Sequence, residues 1–120
     1  MDVPVLKQGK VLIATIQAAL SDADLENLRR GLVQQVVRFR SQGVIVDVTA
    51  MDVMDSFASR TLREIAHMIR LRGAETVIVG IQPEVAMAMV QLGLTLEDVA
   101  TALDLEEGLA YLNNKFKTLE

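Results

Sequence analysis

The sequence predicts an α/β domain in which helices pack on a mixed, mostly parallel sheet. Short aliphatic runs rich in β-branched residues alternate with longer segments whose apolar residues recur every three or four positions. No linker, low-complexity tract or internal repeat interrupts this alternation in the 120 residues. We therefore expect a single domain over residues 1–120, with five strands and four helices in the order ββαβαβαβα.

The chain opens with two short strands that are predicted to form a hairpin. Val3, Val5 and Leu6 belong to the first strand, and a turn at Gly9 separates them from the second strand over residues 11–16.

The first helix is predicted to begin after Ser21, because Ser21 and Asp24 match the S-x-x-[DE] pattern of a helix start. This helix ends before Gly43. Its apolar residues at helical spacing are Leu25, Leu28, Leu32, Val36 and Phe39. A β-branched run from Val44 to Val48 then predicts a strand that is covered on both faces.

The second helix and the fourth strand follow. The helix is predicted to end at Gly73. Its apolar residues are Ala58, Leu62, Ile65, Ala66 and Ile69. Residues 76–81 are predicted to form another buried strand. We expect it to run parallel to the third strand because a helix connects the two.

The last third of the chain predicts a short helix, an edge strand and a closing helix. Pro83 fits the first turn of a helix that continues over residues 84–92. Residues 99–102 are assigned to a strand, although residues 95–98 also resemble a helix start. Asp104 begins the closing helix, whose apolar residues are Leu105, Leu109, Leu112 and Phe116.

Composition excludes several classes of protein. A formal charge of -4 and a pI near 5.0 oppose broad affinity for nucleic acid or for anionic membranes, and 3% aromatic residues leave no platform for stacking bases. The absence of cysteine excludes disulfides, thiol catalysis and zinc sites that use cysteine. No apolar run approaches the roughly 18 residues of a membrane span, and Asp2 and Pro4 interrupt a signal-peptide pattern. We therefore expect an unprocessed cytoplasmic protein without a cofactor.

The most polar segment outside the helix faces is the loop from Asp47 to Ser56. Loops at the carboxyl ends of parallel strands are the usual functional edge of a sheet, and residues 80–84 are predicted to share that edge. Asp47, Asp52 and Asp55 suggest a magnesium site like that of a receiver domain. The acidic residues after the first strand and the lysine after the last strand that such a site needs are missing. We therefore predict no metal site, and assign these aspartates to turns and caps.

Ser56 is predicted to be the N-cap of the second helix, in which case its replacement by alanine costs about 0.5 to 2 kcal/mol. As a catalytic nucleophile it would need a base nearby. The single histidine, His67, lies 11 residues further along the same helix, about 16 Å away at about 1.5 Å per residue. The motifs of serine hydrolases, phosphate-binding loops, dinucleotide-binding folds and zinc proteases are also missing. We therefore expect a protein that is not an enzyme.

Two segments carry a resemblance to a known family. In the context of this order of strands and helices, the sequence VIVDVT at residues 44–49 followed by MDSF at residues 54–57 resembles the STAS domain, the anti-sigma-factor antagonist fold of bacteria. The resemblance covers nearly the whole chain. Many phosphorylated members continue the aspartate–serine pair with Ser-Gly or Thr-Gly, whereas Phe57 and Ala58 follow it here. In having phenylalanine after the aspartate–serine pair, the sequence resembles the stand-alone STAS antagonists of the stressosome.

The resemblance implies a scaffold and switch in a large cytoplasmic complex with longer paralogous STAS proteins and with further copies of the chain. There it would hold a serine/threonine switch kinase and release it when Ser56 is phosphorylated. The kinase would then act on a pathway that controls a stress sigma factor, and a phosphatase would reset the serine. Ser59 is the alternative phosphoacceptor. The implied recognition neighbours are Asp55, Asp52, Thr49 and Phe57.

An alternative function is a STAS-type sensor that binds a small ligand or a nucleotide, which would need a pocket at the carboxyl ends of the strands. The second helix also carries a basic stripe, for which a solvated face is favoured over a partner surface. The stripe consists of Arg60, Arg63, His67 and Arg70. On the first helix, Val33 and Val37 widen the apolar arc and favour assembly through that face.

Overall fold

The computed structural model of the chain describes residues 3–118, without the side chain of Thr118. These residues form five strands and four helices in the predicted order. The strands are β1 (Val5–Gln8), β2 (Val11–Thr15), β3 (Gly43–Asp47), β4 (Glu75–Val79) and β5 (Ala100–Ala102). The helices are α1 (Asp22–Phe39), α2 (Ser56–Leu71), α3 (Pro83–Gln91) and α4 (Leu105–Thr118).

The strands lie in one sheet in the order β1-β2-β3-β4-β5. β1 pairs with β2 as the predicted antiparallel hairpin, and the other pairs are parallel. Each of α1, α2 and α3 connects one parallel strand to the next. The mixed, mostly parallel sheet and the parallel pairing of β3 with β4 are therefore confirmed.

The two faces of the sheet carry separate cores. Along β3, Val44 and Val46 pack with α1, α2 and α3, while Ile45 packs on the opposite face with Leu112 of α4. All three β3 side chains are fully buried, as expected for a strand covered on both faces. An exposed ion pair of 2.9 Å between Arg29 and Glu64 also joins α1 to α2.

Two glycines allow α4 to lie close to the sheet. A Cβ atom on Gly43 would lie 2.8 Å from the Leu112 side chain, and one on Gly108 would lie 2.8 Å from the Val79 side chain. Because carbon atoms do not approach this closely, larger residues at either position would push the helix outward.

Element boundaries differ from the prediction by one to three residues, the largest difference being at the end of α1, which stops at Phe39. The difference at β4 lies near the site. β4 ends at Val79 and not at residue 81, because Gly80 has a φ of +82° and turns the chain away from the sheet. Residues 95–98 are not helical, and β5 confirms the predicted edge strand. Among residues 3–118, no helix combines the length and the hydropathy that a membrane span requires.

Candidate functional site

The loop between β3 and α2, residues 48–55, is anchored by three buried apolar side chains. These are Val48, Met51 and Met54. The Val48 amide also donates to the Val79 carbonyl at 3.0 Å, which extends the pairing of β3 with β4. Between the anchors, Asp52 is exposed and Val53 is 71% exposed. The loop therefore presents a polar and an apolar side chain from a backbone that the core positions.

Thr49 links this loop to the loop after β4. Its amide and hydroxyl both donate to Asp47 Oδ1, at 2.9 and 2.6 Å, and its carbonyl accepts from Gln82 Nε2 at 2.6 Å. Gly80 lies against the same hydroxyl, since a Cβ atom there would be only 2.0 Å from Thr49 Oγ1. Residues 47–56 and 80–84 therefore meet at one edge of the sheet, as predicted.

The three aspartates of the segment do not form a metal site. Asp47 is engaged by Thr49, and Asp55 accepts a hydrogen bond from the backbone of α2. Throughout the described part of the chain, no three carboxylate or imidazole groups come together in a way that could hold a metal ion.

The prediction that Ser56 is the N-cap of α2 is wrong. Asp55 is the N-cap, with extended backbone and with its Oδ1 accepting from the Ala58 amide at 2.8 Å. Aspartate and serine are both good capping residues. Here the Asp55 carboxylate is the group that accepts from the backbone amide of Ala58, three residues further along the chain. Ser56 consequently becomes the first residue of the helix.

Ser56 has an exposed side chain at this first helical position. It lines a groove between α2 and the segment after α3, together with Arg60, Arg63 and residues 93–95. Backbone amides in the first turn of a helix lack intrahelical acceptors and carry partial positive charge. An anionic group attached to Ser56 would therefore be favourably placed.

Ser59 differs from Ser56 in accessibility. It is only 3% exposed, and its hydroxyl donates to the Thr95 carbonyl at 3.4 Å. A kinase active site could reach this hydroxyl only after α2 and the segment around Thr95 had separated. Of the two serines, Ser56 is therefore the one whose hydroxyl another protein can reach in the folded state.

The basic stripe on α2 is partly engaged within the protein. Arg63 donates to the Thr95 hydroxyl at 3.4 Å, and Arg70 donates to the Asp98 carbonyl. Arg60 lies over the Phe57 ring, with 6.0 Å between its guanidinium carbon and the ring centroid. His67 is exposed, as expected. Two of the four basic residues therefore attach α2 to the segment before β5.

Sequence reasoning missed the role of Gln82 in the loop after β4 and the residues on the far side of the groove. Gln82 supports the Thr49 carbonyl, and Gly93, Leu94 and Thr95 form the wall opposite Ser56. A signal was present only for Gln82, which precedes Pro83 in the loop already assigned to the functional edge. The wall lies more than 30 residues from Ser56 in sequence, and no local pattern links the two.

Comparison with known proteins relates this geometry to a family. The STAS domain family matches residues 2–108. A Ser-to-Glu variant of RsbS from Moorella thermoacetica is 32% identical and has a TM-score of 0.82, over 96% of this chain and 97% of that one. A chain in a structure of the stressosome, a signal integration and transduction hub, is 31% identical with a TM-score of 0.75, over 93% of this chain and 97% of that one.

Among curated relatives, the RsbT co-antagonist protein RsbRA of Bacillus subtilis (strain 168) is 35% identical over 98 residues. These residues are 82% of this chain and 34% of RsbRA, so the chain spans about a third of that relative's length. The family match extends over most of the chain and includes both loops of the site. The chain therefore belongs to the STAS domain family.

Proposed function

We propose that this STAS protein is a non-catalytic component of a stressosome that holds a serine/threonine kinase of the RsbT kind and releases it when Ser56 is phosphorylated. The released kinase would drive a partner-switching stress response with a sigma factor as its output. A phosphatase would restore the unmodified serine. Because the kinase consumes ATP, we place this cycle in the cytoplasm.

The observation that carries the proposal is the position of the Ser56 hydroxyl. It is exposed at the first turn of α2, while the adjacent Asp55 caps the helix in its place. Modification of Ser56 therefore leaves the capping hydrogen bond intact. A kinase can approach this edge without unfolding the helix.

The relatives support the choice of pathway. RsbS is similar to this protein over nearly the full length of both chains. The same holds for the chain in the stressosome structure. RsbRA, named as a co-antagonist of RsbT, matches this chain over only part of its own length. We therefore propose longer RsbR-like STAS proteins as partners in the assembly. Homotypic contacts through α1 would cover Val37, which is 47% exposed.

The proposed release is electrostatic. The Ser56 hydroxyl would attack the γ-phosphorus of ATP, lose its proton to the kinase base and displace ADP. The phosphate adds about -1.5 to -2 charges at pH 7. It would stand beside the exposed Asp52 and Asp55 and make this surface strongly negative, so a partner that docks an acidic or apolar patch over Val53 would be repelled. We expect α2 itself to keep its conformation, since first-turn amides accommodate an anion. A crystal structure of Ser56→Asp with a rebuilt α2 would contradict this mechanism.

The first experiment maps the modification. The protein is incubated with the kinase of its own organism and ATP, and the product is examined by mass spectrometry. We expect one phosphate on Ser56, and none on the Ser56→Ala variant. A phosphate on Ser59, or on neither serine, would refute the assignment.

The second experiment tests capture and release. Immobilised protein should retain the kinase without ATP and lose it when ATP is added. Ser56→Ala should retain the kinase under both conditions. Ser59→Ala is the matched control, because the same atom is removed one turn away, and it should behave like the wild type. ATP-dependent release from Ser56→Ala would exclude Ser56 as the switch.

A further inference from the structure

We propose that Arg60 is the internal counter-ion of phosphorylated Ser56, and that it leaves the Phe57 ring to take this role. The inference rests on the proposed phosphorylation of Ser56. In this role Arg60, which lies outside the aspartate–serine motif, positions the phosphate once it is attached.

The helix places Ser56 and Arg60 side by side. Residues four apart on a helix are neighbours on its surface, with Cβ atoms about 5 to 6 Å apart. Both side chains line the groove that faces residues 93–95, and both are exposed. An arginine guanidinium can pair with a phosphate through two parallel hydrogen bonds. Arg60 can therefore reach a phosphate on Ser56 by rotation of its side chain alone.

In the unmodified protein, Arg60 makes a contact that a phosphate can outcompete. Its guanidinium carbon is 6.0 Å from the centroid of the half-buried Phe57 ring, at the outer limit of a cation–π interaction. At this limiting distance the ring contact contributes little, whereas a phosphate can hold the guanidinium through two parallel hydrogen bonds. The arginine should therefore move from the ring to the phosphate.

The other charged groups around Ser56 favour Arg60 over Arg63 for this role. Arg63 is nearly two turns from Ser56 and already donates to the Thr95 hydroxyl at 3.4 Å. Asp55 and Asp52 are negative and would repel the phosphate. The opposite wall of the groove, residues 93–95, carries no charged side chain. Among the described residues that line the groove, Arg60 is thus the better placed cation.

This exchange gives phosphorylation a second effect on the surface. A negative group appears at Ser56, and one face of the Phe57 ring loses its cationic cover. A docked protein would meet both changes, although the backbone of α2 stays in place. Arg60 therefore couples the modification to the shape and polarity of its surroundings.

The test uses the full chain with phosphoserine incorporated at position 56 during translation, so that no kinase is needed. The second ionisation of the phosphate is titrated by ³¹P NMR in the wild type, in Arg60→Gln and in Arg63→Gln. Because a counter-ion stabilises the dianion, we expect the pKa of the phosphate to be lower in the wild type than in Arg60→Gln by about 0.2 to 0.7. Arg63→Gln, the matched control in the same groove, should stay close to the wild type. Equal pKa values in the wild type and Arg60→Gln, or a larger change in Arg63→Gln, would overturn the proposal.

Movement away from the ring has its own measurement. The chain contains three phenylalanines, so fluorophenylalanine labelling gives three ¹⁹F signals, and Phe57→Leu identifies the signal of interest. Phosphoserine at position 56 should shift this signal in the wild type and shift it much less in Arg60→Gln. Equal shifts in both proteins would show that Arg60 does not leave the ring. Failure of the kinase reaction would refute the proposed function and leave both NMR results intact.

Discussion

The two helices that pack together on one face of the sheet begin with the same residue types in opposite order. At α1, Ser21 comes first and caps the helix: its hydroxyl accepts from the Asp24 amide at 3.1 Å, and the Asp24 carboxylate accepts from the Ser21 amide at 3.1 Å. At α2, Asp55 comes first and caps the helix, and Ser56 falls inside the first turn.

The comparison shows how one position decides what a serine can do. A phosphate on Ser21 would disrupt a capping box in which the hydroxyl is an acceptor. A phosphate on Ser56 would disturb no capping bond, since Asp55 already provides the cap. The serine of α1 is therefore structural, and the serine of α2 is available for modification. The variants below test this distinction.

The largest expected effect concerns the loop contact that supports the start of α2. Gly80→Ala places a Cβ atom 2.0 Å from Thr49 Oγ1, at a φ of +82°. We expect a loss of about 2 to 4 kcal/mol of unfolding free energy, measured by urea denaturation, from the strained backbone and the clash together.

Gly93→Ala is the matched control for this variant. Gly93 also has a positive φ, of +70°, but nothing lies within 4 Å of its missing Cβ. It should lose only about 1 kcal/mol, the cost of the backbone conformation. Equal losses for the two variants would mean that Thr49 moves aside easily and that the loop is less firmly held than the contacts indicate.

The next effect comes from the cap of α2. Asp55→Ala removes the acceptor of the Ala58 amide and should cost about 0.5 to 2 kcal/mol, whereas Asp55→Asn keeps a capping oxygen and should cost much less. Thermal and urea unfolding of both variants measure this difference. Wild-type stability of Asp55→Ala would show that the Ser56 hydroxyl replaces the lost cap.

The two serines give the most direct test of the comparison. Ser21→Ala should cost about 1 kcal/mol because it removes a cap. Ser56→Ala should change stability by less than about 0.5 kcal/mol, as is usual for exposed positions. The cost of about 0.5 to 2 kcal/mol predicted from the sequence applies to an N-cap residue, and Ser56 is not the N-cap of α2. A larger loss for Ser56→Ala than for Ser21→Ala, measured by urea denaturation, would reverse the assignment of the two roles.

Periodicity, with turn and cap signals, was sufficient to predict the strands and helices and their order along the chain. The apolar residues of α1 and α2 at helical spacing and the continuous run of β3 indicated which surfaces are buried, because burial follows from these periods. The capping box at Ser21 was also predictable, since its two members are three residues apart and act locally.

The parts of the site that sequence reasoning missed depend on other physics. Asp55 and Ser56 are both good caps, and the choice between them depends on where the loop, held by the buried Met54, delivers the chain to α2. The fit of Gly80 against Thr49 and the wall at Thr95 are contacts between distant segments. They require the three-dimensional arrangement of the sheet edge, which no local pattern contains.

The smallest effect we predict is the stabilisation of α2 by an anion at Ser56. Ser56→Glu should be about 0.3 kcal/mol more stable than Ser56→Ala at low ionic strength, because first-turn amides favour negative charge, and the gain should vanish in about 1 M salt. Gln17→Glu is the control: this exposed loop position has no helix start, so it should show no such gain. The difference is measured by urea denaturation at the two salt concentrations.

The sign of this small difference tests the electrostatic model of release. Asp52 and Asp55 repel an anion at Ser56, whereas the helix start and Arg60 attract it. If Ser56→Glu is less stable than Ser56→Ala at low salt, the repulsion outweighs the attraction. A phosphate on Ser56 would then destabilise the start of α2. Release would then require α2 to rearrange, in contrast to the fixed helix proposed above. A stabilising effect that salt removes would instead support a phosphate held in place while the docked partner is repelled.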